Sequence, residues 1–447
     1  MAIREVIDRS PMGGFQIRVV GICLILNMID GFDILVMSFA ASGVAREWAL
    51  AGYQVGLLLS SGLAGIGLGS AFVAPLADRI GRRPMTLWCL GVSTLGMALA
   101  AATNGVVELG ICRLLTGVGI GGLLAALPVI IAEYSPQRRR GTAIALYTTG
   151  LPLGGVVGGA FAALVTTQFG WRALFVVGAA LTAVILLVVV AAMPESLDYL
   201  ALRRPRGALD RINRLLSKMG HAPLDALPVL DPGARQSVTT AILRGRNGAR
   251  SVLLWVVFFV MLAGYYFAAT WTPRLLEQSG LTAQQGVSGG VLLNLGGVAA
   301  TLLFSAVALT VARRTLTVLS FVAAGVSFLL IGPALGSLTA TLLAVVAIGM
   351  FINASAAGMF GITPDLYPTA VRATAVGWAI AVGRLGAIAS PALAGFLVDR
   401  SWTPRGLFTL FAVPMFLAAL GIAVIATGSA APVSAGDELT EEPQPTT

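Results

Sequence analysis

The chain has few charged residues. Asp, Glu, Lys and Arg make up 11% of its 447 residues, whereas an average soluble domain is about 25% charged. Hydrophobic residues make up 57% of the chain, and the mean hydropathy is +0.89. So little charge excludes an ordinary water-soluble domain. The composition therefore indicates an integral membrane protein that crosses the bilayer many times.

Histidine and cysteine are also scarce. The one histidine is His221, and the three cysteines, Cys23, Cys89 and Cys112, fall in or near apolar runs without paired spacing. This pattern argues against a disulfide framework and a metal site. The apolar runs contain no histidine, metal cluster or nucleophile with a neighbouring base. We therefore expect no metal, no cofactor and no enzymatic activity.

Apolar runs long enough to span a membrane recur along the chain. About 20 helical residues cross roughly 30 Å of hydrocarbon. Such runs lie near residues 17–40, 54–76, 85–103, 106–131, 141–166, 172–193, 251–273, 286–311, 315–336, 338–362, 373–398 and 405–427. The predicted fold class is therefore an all-α membrane protein with twelve transmembrane helices in two bundles of six.

The polar stretches divide the chain into predicted domains. These are an N-terminal six-helix bundle (1–193), a cytoplasmic linker rich in Arg and Pro (194–250), a C-terminal six-helix bundle (251–427) and a tail (428–447). The tail ends in DELTEEPQPTT, and so acidic a composition predicts disorder. The N-terminus MAIREVIDRS is polar, and the first apolar run is long enough to remain as a span, so we expect no separate signal peptide.

Basic residues are concentrated on one side of the predicted membrane. The N-terminus, the linker and the loops after spans 2, 4, 8 and 10 hold most of them. The opposite loops hold Arg46, Arg172, Arg274, Arg400 and Arg405. The positive-inside rule then places both termini in the cytoplasm, and we expect the protein to lie in the inner (cytoplasmic) membrane. The net charge of +9 lies where anionic lipid attracts it, so we expect lipid contact and no nucleic acid.

The two halves of the chain share an internal repeat. Shifting the sequence from residue 132 to residue 364 lays AEYSPQRRRGTA over PDLYPTAVRATA. The shift of about 232 residues matches Glu133 with Asp365 and Arg140 with Arg372. Repeated halves are typical of transporters, whose binding site lies between the repeats near the middle of the membrane. The two predicted bundles are therefore pseudo-symmetric.

Two acids interrupt the first apolar run. Asp30 and Asp33 lie in the stretch LNMIDGFDILVM. A charged side chain near the bilayer centre costs roughly 2.5 to 3.5 kcal/mol on insertion scales, so acids there face a protein interior or a watery cavity and often carry protons. Three positions apart, the two share a helix face. We predict that one of them carries a proton, and we favour Asp30. The alternative is that both are static partners of Arg113 or of backbone groups.

Two arginines lie at a similar depth. At about 1.5 Å rise per residue, Arg113 in span 4 reaches the level of the acids, which predicts an ion pair with one of them. Arg384 in span 11 lies near the same level, and no acid in spans 7 to 12 matches its depth. A guanidinium without a partner is suited to gripping a carboxylate. We predict that Arg384 binds substrate, with Arg113 as the next candidate. The alternative for Arg384 is a structural or gating role.

Recurring motifs resemble those of the major facilitator superfamily. They are ADRIGRRP (77–84) after span 2, RLLTGVGIGG (113–122), GLPLGGVVGG (150–159) and PES (194–196). The glycine-rich motifs lie inside spans and suit close helix packing. One departure is Ala74, which stands where the loop motif usually opens with glycine. Within the superfamily, DGFD (30–33) and GRLGAI (383–388) resemble the aromatic acid:proton symporters.

This resemblance implies a function and a cavity. Such symporters import benzoate-like carboxylates with protons by alternating access, and spans 1, 4, 7 and 10 of the superfamily line a central cavity. The repeat offset places Tyr265 and Tyr266 of span 7 at the depth of the acids. Asn353 in span 10 and Asn294 in span 8 are candidates to hydrogen-bond ring substituents. The alternative for each of these residues is helix packing.

Charged residues at the cytoplasmic span ends form a second set. Asp78, Arg82, Glu133 and Arg140 are predicted to act as gating residues that pair in one conformation and separate when the halves move. The alternative is that the arginines only satisfy the positive-inside rule. Other functions also stay open on the same scaffold: import of an aliphatic carboxylate or sugar, efflux of a cationic drug, or a receptor that does not transport.

Overall fold

The computed structural model describes residues 2–227, 246–308, 310–367 and 369–425. Within these ranges, 12 helices are long and apolar enough to cross a membrane, which confirms the predicted spans and the all-α fold class. In chain order the helices are α1 (Ala2–Arg9), α2 (Gly14–Glu47), α3 (Gly52–Ile80), α4 (Arg82–Ala101), α5 (Val106–Tyr134), α6 (Gln137–Phe169), α7 (Arg172–Ala192), α8 (Leu197–Arg203), α9 (Ala208–Lys218), α10 (Arg246–Gln278), α11 (Ala283–Val307), α12 (Arg313–Ala334), α13 (Leu338–Ile362), α14 (Thr369–Asp399) and α15 (Pro404–Ile425).

The two halves repeat one packing pattern. In the N-terminal half, α2 packs on α6, α3 packs on α5, and α4 packs on both α5 and α7. In the C-terminal half, α10 packs on α14, α11 packs on α13, and α12 packs on both α13 and α15. Corresponding helices make corresponding contacts, in agreement with the internal sequence repeat. Each half is therefore a bundle of six membrane helices, and one apolar core continues from one half into the other.

Glycines allow the helices of each half to approach closely. A Cβ atom added to Gly31 on α2 would collide with the backbone carbonyl of Leu151 on α6. Gly154 on α6 makes the same kind of contact with the carbonyl of Met28, and Gly117 on α5 with the backbone of α3. In a membrane, close packing of this kind replaces the hydrophobic effect as the force that joins helices. The glycine-rich runs of spans 4 and 5 are packing surfaces in this structure.

The two halves meet mainly at one end of the bundle. We call the end that carries α1, α8 and α9 the linker end, and the opposite end the far end. Every hydrogen bond between the halves within the described ranges lies toward the far end. Ser38 Oγ donates to the Thr270 carbonyl over 2.6 Å, and Ser60 Oγ donates to the Ile388 carbonyl over 2.7 Å.

Asp399 adds a charged contact at the far end. This residue ends α14, and its two carboxylate oxygens accept hydrogen bonds from the backbone N–H groups of Gly52 at 2.6 Å and Tyr53 at 2.8 Å. Asp399 thereby caps α3, which belongs to the other half, at the positive end of its helix dipole. Arg46 and Glu277 form a second charged contact between the halves, at 4.0 Å. These contacts hold the far end closed.

The first part of the linker is helical, which the sequence analysis did not predict. Leu200 on α8 and Ile212 and Leu216 on α9 are fully buried against the linker end of the N-terminal half. These helices are short, and polar residues interrupt their apolar residues in the sequence. A search for long apolar runs therefore does not find them. Residues 228–245 of the linker and the tail predicted at 428–447 lie outside the described residues.

Replacing Asp399 with alanine is expected to favour conformations that are open at the far end. The substitution removes both carboxylate acceptors from the start of α3, and a lost helix cap costs about 1 kcal/mol. That is about a fivefold change in the ratio of open to closed protein. Ser42 lines a cleft at the far end, and the three native cysteines are buried. The rate at which a membrane-impermeant thiol reagent modifies a Ser42→Cys protein measures the change.

A matched control is Glu108→Ala. Glu108 accepts a hydrogen bond from the backbone N–H of Asn104 at 3.0 Å, so it is also an acid near a helix start, but its contact lies within one half. Equal labelling rates in the Asp399→Ala and Glu108→Ala proteins would show that Asp399 does not hold the halves together.

Candidate functional site

A buried ion pair joins α2 to α5. Nη1 of Arg113 donates to Oδ1 of Asp33 over 2.7 Å, and Nη2 donates to the Asp33 backbone carbonyl, also over 2.7 Å. The Arg113 side chain is 3% exposed and that of Asp33 is 2% exposed. The predicted ion pair of Arg113 with one of the two acids is confirmed, and the acid is Asp33.

Neighbouring helices fix the guanidinium of Arg113. Gly62 on α3 leaves room for it, since a Cβ atom there would lie 3.1 Å from Nη2. The ring of Phe175 on α7 lies 6.0 Å from the guanidinium carbon, at the limit of cation–π attraction. A buried pair with these supports is costly to break, because removing one partner leaves an uncompensated charge and destabilises a protein by about 3 to 5 kcal/mol.

Asp30 has a different environment from Asp33. It lies one helical turn closer to the linker end, is 2% exposed, and its Oδ2 atom has no hydrogen-bond partner in the described part of the chain. Asp30 interacts electrostatically with Asp33, with Cys89 on α4 and with Tyr147 on α6. This acid therefore lies inside the N-terminal half, and it forms no ion pair with any described residue.

Arg384 lies on the face of α14 that looks toward the N-terminal half. One turn toward the far end, the Ile388 carbonyl accepts a hydrogen bond from Ser60 on α3. Toward the linker end, Gly377 has open space beside it. Arg384 itself is partly buried and makes no hydrogen bond or ion pair with a described residue. Counted from the far ends of their helices at about 1.5 Å per residue, Arg384 and Asp33 lie at nearly the same depth.

Two tyrosines on α10 lie near Arg384. The hydrogen bond from Ser38 to the Thr270 carbonyl joins residues 232 positions apart, so the repeat offset aligns α2 with α10 and places Tyr265 at the level of the DGFD motif. The rings of Tyr265 and Tyr266 are perpendicular, with centroids 5.1 Å apart. Arg384 interacts electrostatically with the Tyr266 hydroxyl. The predicted cationic and aromatic residues therefore belong to one cluster.

The two predicted asparagines are both tied to their own helices. The Asn294 amide donates to the Gly290 carbonyl, and the Asn353 amide donates to the Gly349 carbonyl, each over 2.8 Å. Asn294 also packs on α6, where a Cβ atom at Gly155 would lie 2.8 Å from its Oδ1 atom. Each contact uses one N–H of the amide, so the second N–H and the amide oxygen remain for other partners. Their substrate contact stays a prediction.

The four predicted gating residues form contacts inside the N-terminal half. Arg82 forms a direct ion pair with Glu133 and lies 3.7 Å from Asp78. Arg140 pairs with Asp8 of α1. In this conformation the set therefore ties α4 to α3 and α5, and α6 to α1, at the linker end, and these ion pairs do not bridge the two halves. A gating role for Asp78, Arg82, Glu133 and Arg140 stays a prediction.

A further acid, Glu195, belongs to this network and was not predicted from the sequence. Glu195 accepts hydrogen bonds from the backbone N–H groups of Arg82 at 2.8 Å and Arg83 at 3.1 Å. Its neighbour Ser196 donates from Oγ to Glu133 over 3.0 Å. The PES motif was the available signal, since it places an acid directly after span 6, where Glu195 faces the start of α4. Within the described ranges, no group of three or more His, Cys, Asp or Glu residues is arranged to hold a metal ion.

Comparisons with known proteins identify relatives of the chain. Residues 23–311 match the Major Facilitator Superfamily. A 4-hydroxybenzoate transporter, PcaK, of Pseudomonas putida is 31% identical over 94% of this chain and 95% of the relative. A gallate transporter of Pseudomonas putida is 29% identical over 96% of this chain and 95% of the relative. These relatives are named as transporters, which confirms the expectation of a membrane carrier that is not an enzyme.

Solved structures share the fold. The crystal structure of a D-xylose-proton symporter matches with a TM-score of 0.73 and 16% identity, over 92% of this chain and 97% of that chain. An inward-open xylose transporter, XylE, from E. coli matches with a TM-score of 0.72 and 18% identity, over 94% of this chain and 98% of that chain. Such low identity supports the architecture alone. The family match, the relatives and the twelve-helix fold together show that the chain belongs to the major facilitator superfamily of membrane transporters.

Proposed function

We propose that the protein imports an aromatic carboxylate, such as benzoate or a hydroxybenzoate, together with a proton. The observation that carries this proposal is the arrangement of four charged groups at one depth. Asp33 and Arg113 form a buried pair, while Asp30 and Arg384 form no ion pair with any described residue. An unpaired acid inside a membrane protein is suited to carrying a proton, and an unpaired guanidinium is suited to holding a carboxylate.

The substrate class follows from the groups around Arg384. The relatives are named for 4-hydroxybenzoate and gallate, which share an aromatic ring and a carboxylate. In the proposed complex the carboxylate binds Arg384, and the ring packs against Tyr265 and Tyr266, where stacking adds to simple burial. The amide oxygens of Asn294 and Asn353 would accept hydrogen bonds from ring hydroxyls. An aliphatic acid would leave Tyr265 and Tyr266 without an aromatic ring to contact, and a sugar would leave Arg384 without a carboxylate.

Charge balance gives a physical reason why transport of the carboxylate would be coupled to transport of a proton. With a proton on Asp30 and a carboxylate on Arg384, both sites are neutral; with neither ligand, their charges are opposite and cancel in sum. A carrier with one ligand alone has one net charge in its interior, where a low dielectric makes an unbalanced charge costly. The fully loaded and the empty carrier are therefore the forms that change conformation most easily, which yields symport.

Alternating access would follow from motion of the two halves. The positive-inside rule places the linker end in the cytoplasm, so the conformation with closed far-end contacts releases substrate inward. Outward opening requires separation of Asp399 from the start of α3 and contact of the halves at the linker end. Arg82 and Glu133 lie where those contacts would form, and lipid surrounds both bundles. We place the protein in the cytoplasmic membrane with both termini inside the cell.

Asp30→Asn is expected to abolish proton-driven accumulation while sparing exchange of labelled for unlabelled substrate. Exchange needs no net proton movement, whereas accumulation needs an acid that loads on one side and unloads on the other. In proteoliposomes that contain the unmodified protein, uptake of labelled 4-hydroxybenzoate should rise as the external pH falls and should collapse with a protonophore. The Asp30→Asn protein should lose this pH dependence.

Asp33→Asn serves as the contrast. It leaves Arg113 buried without its counter-charge, so we expect a lower melting temperature and loss of both accumulation and exchange. Full gradient-driven accumulation by the Asp30→Asn protein would rule out Asp30 as the proton carrier.

Arg384→Gln is expected to weaken binding of 4-hydroxybenzoate by at least tenfold. Truncating one partner of a desolvated charge pair costs roughly 2 to 5 kcal/mol, which is about 30-fold to several thousand-fold in affinity. Arg384→Lys should restore binding only in part, because an ammonium group cannot reproduce the two-pronged contact of a guanidinium. Equilibrium binding of 4-hydroxybenzoate and of its uncharged amide to detergent-purified protein measures this effect. Loss of charge recognition weakens binding of the acid alone, whereas misfolding weakens binding of both ligands.

The matched control is Arg313→Gln, which removes an exposed arginine from the start of α12. The preference for the acid over the amide should disappear in Arg384→Gln and persist in Arg313→Gln. If Arg384→Gln keeps this preference, the carboxylate is held elsewhere. A binding profile confined to sugars or aliphatic acids would overturn the proposed substrate class.

A further inference from the structure

A cleft lies between the two halves at the far end. It has a volume of about 260 Å³ and is lined by residues near the ends of α2 and α10, namely Ser42, Ala45, Arg46, Arg274, Glu277 and Gln278. One turn further into the protein, Ser38 Oγ donates to the Ala269 and Thr270 carbonyls over 3.2 and 2.6 Å, which joins α2 to α10 below the cleft. The positive-inside rule places the far end outside the cell. The cleft therefore faces the external solution above a closed contact.

Arg274 is a cation of this lining that lacks a partner. It makes no hydrogen bond or ion pair with a described residue, and its Nη1 atom is buried. The guanidinium lies 5.7 Å from the ring centroid of Trp271. That ring is fixed in turn, since its Nε1 donates to the Pro391 carbonyl on α14 over 3.1 Å. A buried N–H group without an acceptor is costly, so Arg274 is suited to a ligand that supplies one.

The acids near Arg274 are already engaged. Glu277 lies 4.0 Å from Arg46, and their side chains are 24% and 69% exposed. Asp399 uses both of its carboxylate oxygens to accept backbone N–H groups at the start of α3. Both acids act electrostatically on Arg274, but neither forms an ion pair with it. Because Arg46 balances the charge of Glu277, Arg274 leaves the lining of the cleft with one net positive charge.

The cleft and the cluster around Arg384 lie along the same two helices. Tyr266 and Arg274 are eight positions apart on α10, and Asp33 and Ser42 are nine positions apart on α2. At 1.5 Å per residue, these separations are about 12 and 14 Å along the helices. A carboxylate that enters from outside would therefore meet Arg274 before it reached Arg384.

We propose that the cleft is an outer subsite, which captures a carboxylate from the external solution before the carboxylate moves to Arg384. This inference rests on the proposed function, because it gives the same substrate a second site at the far end. The carboxylate would accept hydrogen bonds from Arg274, and its charge would balance the net positive charge of the lining. No aromatic side chain lines the cleft in the described part of the chain. The subsite therefore recognises the carboxylate and not the ring, and an aliphatic carboxylate should bind there as well.

Protection of a cysteine in the cleft tests the subsite. Ser42→Cys places a thiol on the wall of the cleft, and the three native cysteines are buried. We expect 4-hydroxybenzoate to slow modification of the detergent-purified Ser42→Cys protein by a neutral, water-soluble thiol reagent. Hexanoate should give the same protection, whereas the uncharged amide of 4-hydroxybenzoate should give none. This comparison of acid and amide does not depend on any arginine variant.

Arginine variants in the Ser42→Cys protein assign the site. Arg274→Gln is expected to raise the concentration of 4-hydroxybenzoate that gives half protection by about tenfold, the affinity that one charged hydrogen bond supplies. Arg274→Lys keeps the charge and should restore part of the protection. Arg384→Gln should retain the protection, because the outer subsite does not use Arg384. Arg400→Gln is the matched control, since this arginine also lies at the far end but packs over Phe396, outside the lining of the cleft.

The outcomes separate the subsite from the proposed function. Protection that is absent, or that is equal in the Arg274→Gln and Arg400→Gln proteins, overturns the subsite even where uptake is proton-driven. Loss of protection in Arg384→Gln also overturns it, because binding at the central site would then be the cause. If Arg274→Gln changes only the modification rate without ligand, Arg274 holds the halves together and the subsite is wrong. If protection is as expected but protonophore-sensitive uptake is absent, the proposed function fails and the cleft remains a carboxylate site alone.

Discussion

The charge pair of Asp33 and Arg113 determines how the other polar groups of the membrane interior can act. A lone charge in a low-dielectric interior is costly, and a well-placed opposite charge with good hydrogen bonds offsets that cost. Because Arg113 is held by both the carboxylate and the backbone carbonyl of Asp33, it is not available to Asp30. The same pair fastens α2 to α5, and so it contributes to the rigidity of the N-terminal half.

The contacts within the halves are more extensive than those between them. Inside each half, glycines bring helix backbones together along long stretches, which favours motion of the half as one body. Between the halves, the hydrogen bonds of the described residues are few and are restricted to the far end, and Asp399 holds one helix start. Glycines also bring α3 and α14 together across this boundary, since a Cβ atom at Gly56 would lie 2.5 Å from the Pro391 carbonyl oxygen. Opening must therefore separate packed backbone as well as these polar contacts. This asymmetry accounts for how a carrier with tightly packed helices can still change its access.

The sequence predicted the parts of this arrangement that depend on depth and repetition. Twelve apolar runs predicted the helices, the rise per residue predicted that Arg113 reaches one of the acids, and the repeat offset of 232 residues recurs in the hydrogen bond from Ser38 to Thr270. It did not predict which acid pairs with Arg113, because Asp30 and Asp33 differ in depth by only about 4.5 Å and the choice depends on rotation about the axis of α2.

Other features lay beyond the sequence because they depend on contacts between distant segments. Asp399 looked like an acid at the end of a span, and only the approach of α14 to α3 makes it a cap for Gly52 and Tyr53. Tyr147 is the one tyrosine of the apolar run 141–166, and nothing in its own surroundings in the sequence marks it as a neighbour of Asp30. The helices α8 and α9 carry too few apolar residues to stand out within a polar linker.

The central claim is that Asp30, and not Asp33, carries the transported proton. Infrared difference spectroscopy of the purified protein in lipid detects the carbonyl stretch of a protonated carboxylic acid and its loss on deprotonation. The account predicts a protonated-acid band that titrates with pH, disappears in the Asp30→Asn protein and persists in the Asp33→Asn protein. A band that persists in Asp30→Asn and disappears in Asp33→Asn would contradict the account.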